Sequence, residues 1–196
     1  MWTSIRGGLL AVCCLGVMSH SLAGDDRDQN RSMKGVFRGN HTGNCMESQG
    51  GFTPNLQFQL NGFAGKYSEI WVSTLVFPGD GTVTETYQGT TYFQGDPYFP
   101  DALGAGTFVG TCRHTINMNA NKSFTIKGSC RSTLPQGPAA GQEAVVEGIV
   151  VHGQFSEDYN SFILGSLEPN AQTLTLSSGY VAPRLCGQTG NFIRVK

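Results

Sequence analysis

His114, Glu85 and His152 are the side chains whose neighbours could give them chemistry. His114 lies in the run Cys112 to Met118, where alternate residues are apolar. A three-residue loop, Ala120-Asn121-Lys122, would set Cys112 opposite Cys130, His114 opposite Gly128, Ile116 opposite Ile126 and Met118 opposite Phe124. The same register sets Thr115 opposite Lys127 and Asn117 opposite Thr125, so one face is apolar and the other polar. A slip of one residue would mix the two sets. Such a loop requires positive φ at Asn121 or Lys122. On the apolar face, beside the space a glycine leaves, an imidazole can act as a general base, a ligand hydrogen bonder or a metal ligand. It can equally be a core histidine satisfied by a hydroxyl or a backbone carbonyl.

Glu85 follows the turn Pro78-Gly79-Asp80-Gly81. Pairing Phe77 with Val83 sets Glu85 opposite Leu75, Tyr87 opposite Ser73 and Trp71 opposite Gly89. A carboxyl among Trp71, Leu75, Phe77 and Val83 would be pushed up by desolvation, which suits acid/base work with His114. Ile70, Val72 and Val76 make the other face of that strand equally apolar, so the inner face stays open. His152 sits in Val150-Val151-His152-Gly153, again apolar on both sides, and is a candidate ligand contact with Trp71 and Tyr87. His41, His114, His152 and Glu85 could together hold a metal, but no HxH or HxxxH spacing occurs, and no metal or cofactor is expected. Tyr98 and Phe99, in the aromatic stretch 92–100, read as a lid or platform for an apolar or carbohydrate ligand, or as rings plugging a core.

The elements that position these residues are read from the cysteines and the turns. Met1 to Arg6, the apolar run Leu9 to Met18 and the small residues of Ser21-Leu22-Ala23 form a secretory signal pattern, cut after Ala23. A secreted or periplasmic location follows, and an apolar run of about ten residues is too short to span a bilayer. Residues 24–33 read as a mobile polar tail, and 34–196 as one domain. Of the six cysteines, Cys45, Cys112, Cys130 and Cys186 lie beyond the signal. An even number in an exported chain implies disulfides. The hairpin register pairs Cys112 with Cys130 and leaves Cys45 to Cys186. No pair has the close spacing of a redox or zinc motif.

Strand patterns recur at 34–38, 56–60, 69–77, 82–93, 105–118, 124–133, 144–155, 161–167, 173–177 and 184–195, with no sustained helical period. The fold class is all-β: an antiparallel meander of eight or nine strands closed as an up-and-down, lipocalin-like barrel with two disulfides. A Cys45–Cys186 bridge would join the first and last strands, as closure requires. An outer-membrane barrel is the less favoured form, because disulfides lie within the strand system.

The 196 residues are 14% charged and 39% hydrophobic with a net charge of −1, which excludes a disordered chain and a nucleic-acid binder acting through a basic surface. Gly-x-Ser-x-Gly, the P-loop, the Rossmann fingerprint and HExxH are absent. Through Gly79 to Val83, Cys112 to Cys130, Glu168-Pro169 and Arg184 to Gly190, the chain resembles a group of small exported bacterial β-barrel proteins of unassigned function. That resemblance implies a fold and a compartment, and no activity. The reading preferred is a barrel that binds a small apolar molecule through Trp71, Tyr87, His114, His152, Tyr98 and Phe99. A cofactor-independent isomerase or cyclase using His114 and Glu85 is the alternative, and a surface protein without a pocket is the third. Oligomeric state is left open.

Overall fold

The computed structural model describes residues 30–59, 62, 64–94, 104–166 and 168–195. The strands are β1 (Gly35–Ser48), β2 (Ala64–Phe77), β3 (Thr82–Gln94), β4 (Gly104–Met118), β5 (Ser123–Gln136), β6 (Glu143–Phe155), β7 (Ser161–Gly165), β8 (Asn170–Leu176) and β9 (Val181–Arg194). Each pairs antiparallel with its neighbour, and β1 pairs with β9, so the sheet closes on itself. β7 and β8 share one position: β7 bridges the 152–155 end of β6 to β9, and β8 bridges the 144–147 end. The result is an eight-strand up-and-down barrel, with its seventh staff divided between β7 and β8. Closure leaves no unpaired edge.

The β4–β5 hairpin has the register expected from the sequence, His114 facing Gly128 and Lys122 taking φ 65°. The β2–β3 register is also as expected, with Trp71 opposite Gly89 and Glu85 opposite Leu75. Both disulfides form, Cys112–Cys130 within the hairpin and Cys45–Cys186 across the β1–β9 seam. Other details differ. Of the expected strand 56–60, the described residues 56–59 contribute an isolated Phe52–Phe58 bridge and no barrel strand. The first strand runs to Ser48, well past Arg38, because its glycines seat large rings from neighbouring strands. Met33, assigned to the tail by the sequence, is 1% exposed and caps the core next to a short helical turn at 30–32. The signal residues 1–23 and the tail residues 24–29 lie outside the described residues.

One end of the barrel is filled. Phe37, Phe77, Phe124, Phe155, Phe162 and Phe192 pack edge-on, tilted or stacked there, with centroids as close as 4.6 Å for Phe162–Phe192. Burying each such ring contributes about 1.5–3 kcal/mol. The other end holds the cavity.

Candidate functional site

Large rings inside this barrel lie against glycines on the neighbouring strand. Phe192 covers Gly39, Trp71 and Phe108 meet at Gly89, Tyr87 lies over Gly110, His114 over Gly128 and His41 beside Gly190. At Gly128 an added Cβ would stand 2.5 Å from His114 Nδ1, and at Gly190 it would stand 2.9 Å from His41 Nδ1. The glycines therefore set the tilt of both imidazoles, holding Nδ1 at the wall.

Each Nε2 then reaches Glu85. His114 Nε2 is 3.2 Å from Glu85 Oε2, and His41 Nε2 is 3.5 Å from Oε1. Ser73 Oγ donates to Oε1 at 2.5 Å. The His41 contact is an ion-pair distance without hydrogen-bond alignment, and neither of its ring nitrogens has a hydrogen-bond partner. His41 is instead stacked on Trp71 at 4.6 Å and 8°, with Phe192 edge-on at 4.8 Å. Glu85, His41 and His114 are 7%, 5% and 7% exposed. Burial alone would push the Glu85 carboxyl up. The hydrogen bond from His114 and the close approach of both imidazoles outweigh it and hold the carboxyl well below the usual carboxylate range. This corrects the expectation of a raised carboxyl: the neighbours that decide it are imidazoles from β1 and β4, not the apolar residues of β2.

Above this floor is a cavity of about 450 Å³, walled by Trp71, Tyr87, Phe108, Ile149, Leu174 and Leu176 among others. Its size lies in the range of small-molecule sites. The inner face of β2 is thus the one bearing Trp71, Leu75 and Phe77, while Ile70 and Val72 are each 52% exposed. Tyr87 donates to or accepts from Ser132 Oγ at 2.7 Å, and burial pushes its hydroxyl up to about 12.

A second polar cluster lies further toward the mouth, where sequence reasoning placed nothing. Arg184 Nη2 donates to Glu69 Oε2 at 2.8 Å, and its guanidinium stands 5.3 Å over the Tyr67 ring. Tyr180 donates to Glu47 Oε1 at 2.6 Å and Tyr67 donates to Oε2 at 3.4 Å. Burial is the largest influence on Glu47 and pushes its carboxyl up, despite Tyr180, Arg184 and Tyr67. His41 and this cluster lacked a local signal, since their partners lie on other strands.

His152 is a correction. It points outward, with Nδ1 3.1 Å from Thr125 Oγ1, and does not line the cavity. The register of β5 with β6 shifts between Gly128 and Cys130, where Gly148 takes φ 79°. That bulge moves the inward phase of β6 from Ala144 and Val146 to Val151 and Phe155. Tyr98 and Phe99 lie outside the described residues.

Among the described residues two sets of possible metal donors come near one another, and neither fits a metal. Cys112, His114 and Cys130 offer ligand atoms within 4.8 Å of one another, but the disulfide consumes both sulfurs. His41, Glu85 and His114 supply two Nε2 atoms and a carboxylate, yet both Nδ1 atoms lack the acceptor that ordinarily fixes a metal-bound imidazole.

Fold and site together define an eight-strand antiparallel β-barrel with an internal cavity, a histidine–glutamate floor and an acidic inner rim. No protein-family model, curated protein or solved structure matches the chain.

Proposed function

We propose that this is an exported binding barrel that takes a small molecule with a mainly apolar body into its cavity. The observation that carries the reading is the 450 Å³ cavity itself, apolar along its walls and polar at two defined places. A barrel built only for stability would fill that space, as the Phe cluster fills the opposite end. Two disulfides accord with an oxidising compartment. The signal pattern of residues 1–23, and the resemblance to exported bacterial barrels, point the same way. Among the described residues no helix is long and apolar enough to cross a membrane. The outward rows of β3 and β4 (Thr84, Thr86 and Gln88; Thr111, Arg113 and Thr115) are exposed and polar, which suits water and not lipid.

The test is titration with the neutral dye Nile red. One saturable site per chain is expected, and Val146→Trp, which fills the cavity, should abolish it while far-UV circular dichroism stays unchanged. Equal dye binding by the filled variant would refute the reading.

The His114–Glu85 contact favours a second reading, a cofactor-independent isomerase or cyclase. In that case the Glu85 carboxylate would take a proton from the bound molecule and return it elsewhere on the same skeleton, with His114 Nε2 holding the carboxylate in place.

A further inference from the structure

We propose that the molecule bound in the cavity carries a cationic group, such as an alkylammonium, received at the inner rim by Glu47, Glu69 and Gln172. This rests on the binding reading above. Three carboxylates line the cavity, those of Glu47, Glu69 and Glu85, against one guanidinium, that of Arg184. At the rim, where Glu47 and Glu69 face Arg184, the formal balance is −2 + 1 = −1, Glu85 being engaged by the two imidazoles at the floor. The Nε and Nη2 donors of Arg184 are directed to Glu69 and to the sulfurs of Cys45 and Cys186.

An independent feature asks for a hydrogen-bond donor at the same level. Gln172 faces Arg184 in the β8–β9 ladder, is 7% exposed and lines the cavity. Its Nε2 donates at 3.0 Å to Asn170 Oδ1, which also accepts from the Val150 amide, so the orientation of the Gln172 amide is determined. Its Oε1 is thereby left buried with no donor. A buried acceptor without a partner is costly, and a ligand N–H would satisfy it. Tyr67, Trp71 and Phe93 line the same region, and aromatic faces beside carboxylates favour organic cations. A carboxylate ligand would instead meet the two rim carboxylates, and a neutral hydroxyl would leave the excess negative charge there uncompensated.

The experiment displaces bound Nile red from the intact chain at pH 7.5 with n-octylamine, n-octanol and octanoate, which share one apolar body. The amine should bind about tenfold tighter than the alcohol, and octanoate weakest of the three. Glu47→Gln and Gln172→Leu should each narrow the amine–alcohol gap severalfold. Alcohol binding as tight as the amine, or octanoate binding tightest, would overturn the charge inference and leave the binding reading intact. Failure of all three to displace bound dye would overturn the inference as well. Absence of any dye binding would remove both.

Discussion

Gly128→Ala tests how the imidazole floor is held. The added methyl would stand 2.2 Å from Arg113 O, 2.5 Å from His114 Nδ1 and 2.9 Å from His114 Cα. Two of those three atoms are backbone, so the β4–β5 ladder must spread as well as the ring move. Overpacking a dense interior costs about 1–3 kcal/mol, and a backbone clash belongs at the upper end. We therefore expect a loss of about 3 kcal/mol, which in a domain of this size lowers Tm by roughly 6–12 °C. Gly187→Ala is the control: nothing lies within 4 Å of its added methyl, and it should change stability by no more than about 0.5 kcal/mol. Adding His114→Ala to Gly128→Ala should restore part of the loss, since it removes the ring but not the Arg113 carbonyl. The assay is urea unfolding followed by circular dichroism. A loss under about 1 kcal/mol for Gly128→Ala would refute the idea that this glycine sets the imidazole's place.

Replacing Cys45 and Cys186 together by serine opens a separation of 141 residues and should cost about 5 kcal/mol on the chain-entropy account, against about 3 for Cys112 with Cys130 at a separation of 18. Urea midpoints in the reverse order would contradict loop closure as the source. Glu85 is held ionised in the folded state, so its contribution to stability is present above its ordinary value of 4.5 and is lost as pH falls toward its folded value. The stability difference between wild type and Glu85→Gln should therefore shrink by about 2 kcal/mol between pH 4.5 and pH 3, at 1.36 kcal/mol per pH unit; a constant difference would mean that Glu85 is not held ionised. Trp71→Ala removes both the aromatic wall and the ring stacked on His41, and should weaken Nile red binding at least about tenfold; unchanged affinity would place the dye outside this cavity.

The β4–β5 hairpin was legible because its alternation is strict and its two cysteines face one another at a register that also sorts Arg113, Thr115, Asn117, Thr125 and Lys127 onto the other face. The β2–β3 register was equally legible, but not its inner face. Ile70, Val72 and Val76 are as apolar as Trp71, Leu75 and Phe77, and the choice is made by glycines on other strands that accommodate the rings. The extent of β1 was hidden for the same reason: Gly39 and Gly43 look like loop residues, yet they receive Phe192 and Trp71. His152 could not be placed from its neighbours, because Val150 and Val151 make both faces apolar and the β6 bulge shifts the inward phase before it. The Arg184–Glu69 pair joins residues 115 positions apart, and no local spacing announces it.

The central claim is that the cavity holds a molecule. Its most direct test is a native mass spectrum of the chain purified from its source without denaturation. The account predicts one small-molecule adduct per chain, lost on denaturation and absent from Val146→Trp. A bare chain mass for wild type, with no saturable uptake of amine, alcohol or dye, would contradict it.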